Sequence, residues 1–598
     1  MTHTRLTLSA LVGTLLGLAS ATVWALTFSA QLRHGEMPQG RAGSSAVIAD
    51  LDGDTYNDLL VGAPAFEAGD ATGMNTDAAD PAGPTGEVLI YKGSAVGLAD
   101  QPFVILHGEG PDDRFGTAIK VADVVGSPTL DVIVSALFAS GHDAPRTGCV
   151  YIFDGDVVNA ATALAGTPEI GAHGAAADVC GTQYREQFGR TLATGNFDGV
   201  GKNDIVVGAP WYSEPHGHES TGHPSDGYLT GATYLITAEA ITEHLDAVQA
   251  GETMHEIDAP FSHGDGWLAF YGESLLAMGD LNPTASDARE ELLIFAPGAE
   301  THGHTGPGRA YLATWNPNPV DPAAPPTLQE PIGFEDPLVV IRGTGGLGTG
   351  KPAFIGDING DGIDEIGMPG NTGKGTPSGM DTESSGGLYL VDGDLLNSTP
   401  DFGPAFKAYG YTGTSTPDGT MTMSEDPASV NSLGDASVAA ITGERAQDKF
   451  GTSMAGVGDL DNDHIDDFAV GAPWADGEIA STPFPSRNEI SGTAYLISGN
   501  SIKTRIGALD AMKFKIRSSL APALIREVPG VSNDRMGESL AAGNLTPADN
   551  DPAVPATQVD LVVGAPDHEA STTNTKTDIP GMNSNDNRGA VIIQSFGQ

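Results

Sequence analysis

The sequence predicts an all-β fold: a seven-bladed β-propeller of four-stranded antiparallel blades, its ring closed by an N-terminal strand in the last blade. Three observations carry this. An acidic loop followed by a short apolar strand returns seven times along the 598 residues. Each return is accompanied by further β-branched and aromatic runs bounded by glycine, four to a unit. The seventh unit reaches Gln598 straight after its third strand, and an N-terminal stretch supplies the match for a fourth.

The second strand of each unit sets the register. "DLDGDTYNDLLVGAP" spans residues 50–64, and "GNFDGVGKNDIVVGAP", "GDINGDGIDEIGMP", "GDLDNDHIDDFAVGAP" and "VDLVVGAP" repeat its plan. The acid just before the apolar strand falls at Asp58, Asp131, Asp204, Glu291, Glu365, Asp467 and Asp560. The repeats centre near 50–64, 123–137, 196–210, 280–297, 357–370, 459–473 and 544–566. Ahead of the inner strand stands a turn such as Phe115-Gly116, Phe188-Gly189, Tyr271-Gly272, Phe450-Gly451 or Met536-Gly537. The third strand reads "GEVLIYKG", "GCVYIFDG" or "GTAYLISG", and the fourth is typified by "FVILHGEG". "FSAQLRHGEMPQGRAG" matches that fourth strand, so residues near Leu26 to Arg33 are expected to complete the last blade. An open edge would otherwise remain at the seam.

Composition narrows the function. Acidic residues number 78 against 28 Lys and Arg, for a formal charge of -50. Nucleic acid and anionic membrane need a basic footprint and are excluded as main partners. Divalent cations or a saline setting fit. The apolar N-terminus has two readings, a signal peptide over 1–21 or an uncleaved anchor. A strand near Leu26 to Arg33 leaves no room for a spanning helix, so the expectation is a cleaved signal and a single propeller over 22–598, secreted or on the cell surface, with no stable membrane span. Cys149 and Cys180 are either bridged or separate thiols.

The crowded carboxylates imply metal. In the first loop Asp50, Asp52, Asp54 and Asp58 occupy positions 1, 3, 5 and 9, with the carbonyl of Tyr56 as a further donor. Hard oxygens on a flexible loop suit Ca²⁺. An EF-hand would need a glutamate at position 12, where Val61 stands inside a strand. The sixth loop offers Asp459, Asp461, Asp463 and Asp467, and the fifth Asp357, Asn359, Asp361 and Glu365. The third keeps Asn196, Asp198 and Asp204 but has Val200 at the middle position. The second keeps Asp123 and Asp131 alone, and the fourth and seventh carry insertions and are expected to bind nothing.

The combination of Phe-Gly, acidic loop and Gly-Ala-Pro resembles the FG-GAP repeats of the integrin α-subunit head, over roughly residues 26–598. The resemblance implies Ca²⁺ in the loops of one face and protein binding or adhesion by the opposite face. It is closer to free-standing microbial FG-GAP proteins, since no inserted von Willebrand-type domain and no leg domains interrupt or follow the repeats. On the Gly-Ala-Pro side, His216, His218 and His223 with His302 and His304 read either as a transition-metal site or as solvated turns. Trp211, Tyr212 and Trp474 read as an aromatic floor for a cation or sugar, or as caps on strand ends. No nucleophile elbow, acid-matched histidine or HExxH helix occurs. The expected role is an adhesion module for an extracellular protein or glycan, with a glycan-active hydrolase or lyase as the alternative.

Overall fold

The computed structural model describes residues 27–34, 40–65, 85–141, 145–161, 167–213, 229–249, 261–263, 269–281, 289–298, 308–313, 339–343, 348–370, 386–391, 393, 420–423, 438–443, 448–475, 491–507, 513–515, 524–529, 534–545, 559–567 and 589–597. They form seven small sheets. In the first blade the strands run Ser45–Ala49, Asp58–Ala63, Glu87–Tyr91 and Val104–His107 from the inner edge outward. The other blades repeat that order. The second strand is buried along its whole length in every blade. This accounts for its continuous apolar run, since both faces of a blade pack against neighbours.

The seam closes as the sequence predicts. Thr27–His34 pairs antiparallel with Ala590–Gly597, from Thr27 opposite Gly597 to His34 opposite Ala590. It thereby becomes the outer strand of the last blade.

Three blades depart from the four-strand expectation by carrying a fifth, parallel strand. Glu169–Gly171 lies on the outer strand of the first blade, Thr420–Met423 on that of the fourth, and Lys513–Lys515 on that of the fifth. Each added strand comes from the link between the third and fourth strands of the following blade. These links are long enough to reach back and cover an edge that would otherwise expose unpaired backbone groups.

The recurring glycines interlock neighbouring blades. The glycine opening the third strand bridges the turn residue of the next blade: Gly86 to Phe115, Gly231 to Tyr271, Gly386 to Phe450, Gly492 to Met536, and Gly589 to Ala42 across the seam. At Gly62 of the Gly-Ala-Pro strand, a Cβ would sit 2.2 Å from the carbonyl oxygen of Gly116. The Phe-Gly of one blade thus packs on the Gly-Ala-Pro of its predecessor, leaving no space for a side chain. A serine hydroxyl adds a second tie: Ser45 to the Gly116 carbonyl, Ser453 to Gly537 and Ser539 to Gly43.

The turn aromatics fill the space beside their own third strands. Phe188 stacks on Tyr234 at 5.0 Å, Tyr271 on Tyr311 at 5.5 Å, and Phe115 and Phe450 on Tyr151 and Tyr495, each at 5.7 Å. Burying one such ring contributes about 1.5–3 kcal/mol. Cys149 and Cys180 stand opposite each other on the third and fourth strands of the second blade and form a disulfide. Among the described residues no helix is long and apolar enough to cross a membrane.

Candidate metal centres

The acidic loops lie where the inner strand turns into the second strand, so all seven share one face of the ring. Their folding follows from local hydrogen bonding by short carboxylates. In the first loop Asp50 accepts from the N–H groups of Gly53, Asp54 and Thr55, at 2.8, 3.1 and 2.8 Å. Asp54 accepts from Tyr56 N–H at 2.8 Å. Asp357 holds its own loop in the same way through Gly360, Asp361 and Gly362, and Asp459 does so through Asp463 and His464. The bend needs left-handed backbone at positions 4 and 6. Gly53 at φ 74° takes it freely, whereas Thr55 at φ 77° and His464 at φ 68° hold it under strain.

This winding turns alternate carboxylates to one side. Asp50, Asp52 and Asp54 bring one oxygen each within 4.8 Å of one another, and so do Asp459, Asp461 and Asp463. Such a set fits a hard divalent cation. In the fifth loop an amide takes up part of the negative charge: Asn359 Nδ2 donates to Asp361 and, at 2.7 Å, to Glu365.

In the third loop Val200 offers no side-chain oxygen at the middle position, and Asn196 Oδ1 is buried without a hydrogen-bond partner among the described residues. Asp198 and Asp204 are instead joined by Glu239, on the helix Ala238–Gln249, within the same 4.8 Å. Sequence reasoning missed Glu239 because it lies outside the loop. The available signal was its position, directly after the third strand.

The acid just before the second strand, at position 9 in five of the loops, has a second task. In all seven blades it is buried and accepts the N–H of the residue at loop position 2: Leu51 to Asp58 at 3.1 Å, Val124 to Asp131 at 2.8 Å, Phe197 to Asp204 at 2.9 Å, Leu281 to Glu291 at 2.8 Å, Ile358 to Glu365 at 2.8 Å, Leu460 to Asp467 at 2.8 Å and Leu545 to Asp560 at 2.7 Å. In four blades the other oxygen accepts an N–H just beyond the third strand, from Gly93, Gly155, Ala238 or Gly499. This clamp explains why the acid persists in loops whose other carboxylates have gone. Burial pushes Asp58 up to about 6, Asp204 to about 7 and Asp467 to about 8.

Loops of adjacent blades are also stitched together. The residue before the clamp acid donates to the position 1 carbonyl of the preceding blade: Asn203 to Asp123, Glu290 to Asn196 and Asp466 to Asp357. Asn57 reaches Asn544 across the seam through its side chain.

On the Gly-Ala-Pro face, His216, His218, His223, His302 and His304 lie outside the described residues. Tyr212 is buried and edge-on to Tyr234, a cap on its strand. Trp474 has the Lys449 ammonium 4.7 Å and the Arg535 guanidinium 5.8 Å from its ring.

Comparison with known proteins agrees with this architecture. The FG-GAP repeat model matches residues 42–73 and 450–496, which contain the first and sixth acidic loops. The chain is an integrin-like FG-GAP propeller. Integrin alpha-PS2 of Drosophila melanogaster is 31% identical over 150 residues, 25% of this chain and 9% of that protein. Integrin alpha pat-2 of Caenorhabditis elegans is 29% identical over 192 residues, 31% of this chain and 14% of its own length. The phosphatidylinositol-glycan-specific phospholipase D of Bos taurus is 26% identical over 288 residues, 46% of this FG-GAP propeller and 30% of the bovine protein. The propeller therefore corresponds to less than a third of each of these relatives.

Proposed function

We propose that this FG-GAP propeller is a secreted or surface-exposed, calcium-stabilised module that binds an extracellular protein or glycan. The observation that carries the reading is the convergence of Asp50, Asp52 and Asp54, and of Asp459, Asp461 and Asp463, on one face of a closed ring. Three carboxylates about 4 Å apart repel by roughly 1–4 kcal/mol per pair at the effective dielectrics of water and protein surface. Calcium, when bound, supplies the positive charge that reverses this repulsion. The residues that would hold it are those two sets, the third set with Glu239, and Asp357 with Asp361 in the fifth blade. Ligand capture is assigned to the opposite face, where long links follow each Gly-Ala-Pro.

The test has two steps. Excess EGTA should lower the melting temperature, and an unchanged melt would remove calcium from the reading. A glycan and surface-protein array, run with and without calcium, should then give binding without turnover. A second reading, a glycan-active enzyme, draws on the bovine relative, which by its name acts on phosphatidylinositol-glycan. Turnover of any glycan on the array would favour it.

A further inference from the structure

The Gly-Ala-Pro end of the second blade gathers three arginines and two aromatic rings. Phe138, just past the second strand, is buried, with the guanidinium carbon of Arg114 4.4 Å and that of Arg146 5.3 Å from its ring centroid. Beside them Arg185 lies 5.2 Å from the ring of Tyr184, which is 52% exposed. In a chain with 78 acidic residues against 28 Lys and Arg, this is a local reversal of charge.

The segments carrying these side chains are fixed to one another. Arg185 N–H donates to the Arg146 carbonyl and Gly181 N–H to the Gly148 carbonyl, both at 2.9 Å. The disulfide between Cys149 and Cys180 joins the same two segments. Arg146 itself holds left-handed backbone at φ 55°, a strained state that its surroundings must maintain.

Arg146 is the group without a counterpart. It is half-buried, its guanidinium has no hydrogen-bond or ion-pair partner among the described residues, and its Nη2 is wholly buried. The neighbouring acids are turned elsewhere. Asp113 Oδ2 accepts from Gly110 N–H at 2.6 Å, and Glu109 meets His173 at 3.2 Å. The sixth blade shows the contrast. There Lys449 and Arg535 flank Trp474, but Glu538 and Asp567 already take the Arg535 guanidinium. A guanidinium withdrawn from water without an acceptor is unfavourable until an anion meets it.

Building on the Gly-Ala-Pro face as the ligand face, we propose that this patch binds a uronate-bearing glycan, with its carboxylate on Arg146 and a sugar ring against Tyr184. A planar carboxylate matches guanidinium geometry, and the exposed ring offers an apolar surface with a polar tip. Charge density selects the glycan over an acidic peptide. A chain of formal charge -50 repels a run of adjacent acids, whereas uronates alternating with neutral sugars bring one charge at a time to the arginines.

Titration calorimetry of the full, calcium-loaded chain tests this with hyaluronan hexasaccharide and with the same oligosaccharide after reduction of its glucuronates to glucose. The acidic form should bind, and the reduced form about tenfold more weakly. Arg146→Gln should weaken the acidic form about tenfold, the scale of one charge-assisted hydrogen bond, and so bring the two forms together. This variant loses an unpaired charge and should melt no lower than the parent, which keeps the comparison among folded proteins. Tyr184→Ala should weaken both forms alike. Lys202→Met, on the opposite face, should change neither. No heat from the acidic form, or an unchanged affinity in Arg146→Gln, would overturn the site. Tighter binding of hexa-aspartate than of the hexasaccharide would overturn the glycan assignment. Array binding that Arg146→Gln retains would remove this patch and leave the binding module standing, whereas an array without any binding removes the module reading itself.

Discussion

The first and sixth acidic loops share spacing, winding and clamp, and differ in what stands beside them. In the first, the Lys92 ammonium contacts Asp52 and lies 4.7 Å from the Phe103 ring. In the sixth, the residue at the same point after the third strand is Ser498, which offers no charge. The consequence is visible in the acids. Asp58 is pushed up to about 6 by burial, with Lys92 pulling the other way. Asp467 is pushed to about 8 by burial and then by Asp461, with Asp463 adding to it. Asp461 is itself raised by burial and by Asp463. The first loop has a lysine ammonium against its carboxylates, whereas the sixth has only the His464 imidazole, 4.0 Å from Asp459. On the proposed calcium reading, the sixth loop would therefore depend on a cation more than the first.

The largest expected effect comes from removing the cation altogether. At a hundredfold excess over the dissociation constant, each occupied loop adds about 2.7 kcal/mol to stability. Calorimetric scans in calcium and in EGTA should differ accordingly. Asp459→Ala should abolish more of that difference than Asp50→Ala, and equal losses would break the comparison.

Exchanging the neighbours comes next. Lys92→Ser should tighten calcium binding at the first loop by about tenfold, equivalent to about 1.4 kcal/mol. Titration calorimetry of this variant should show the first-loop event moving towards that of the sixth. An unchanged affinity would mean that Lys92 swings away at no cost.

The pH dependence of the calcium-free protein sharpens the same contrast. A buried acid with a raised value binds a proton in the folded state that the unfolded chain has released, so stability is highest near pH 4 and falls as pH rises. The decline due to Asp58 should end near pH 6, whereas that due to Asp467 should continue to about pH 8. Urea midpoints in EGTA from pH 4 to 9 should show Asp467→Asn removing the upper part of the decline.

The smallest effect concerns strain. Thr55→Gly relieves a β-branched residue at φ 77° and should stabilise the first loop by about 1 kcal/mol, at the low end for such backbone outliers. Urea unfolding of the variant measures it.

What could be read in advance was what has a register. Seven returns of one motif fixed the blade count, and the match between "FSAQLRHGEMPQGRAG" and a fourth strand located the seam. Carboxylates at alternate positions of a tight loop announced the clusters at Asp50 and Asp459. The partners that modify those clusters come from outside the loop. Gly93, which clamps Asp58, and Lys92, which offsets Asp52, follow the third strand. Glu239 enters the third cluster from a helix that no loop pattern foretells. The parallel fifth strands escaped for a related reason: their pairing partners belong to a different blade, and the segments themselves are three or four residues long.

The strand Thr27–His34 has its partner at Ala590–Gly597, with Thr27 and Gly597 570 residues apart in sequence. During synthesis the earlier strand is made first and must wait, with bare edges, until the later one has been added. Pairing across such a separation is entropically slow. The circle therefore cannot be completed until Ala590–Gly597 has been made and has found its partner.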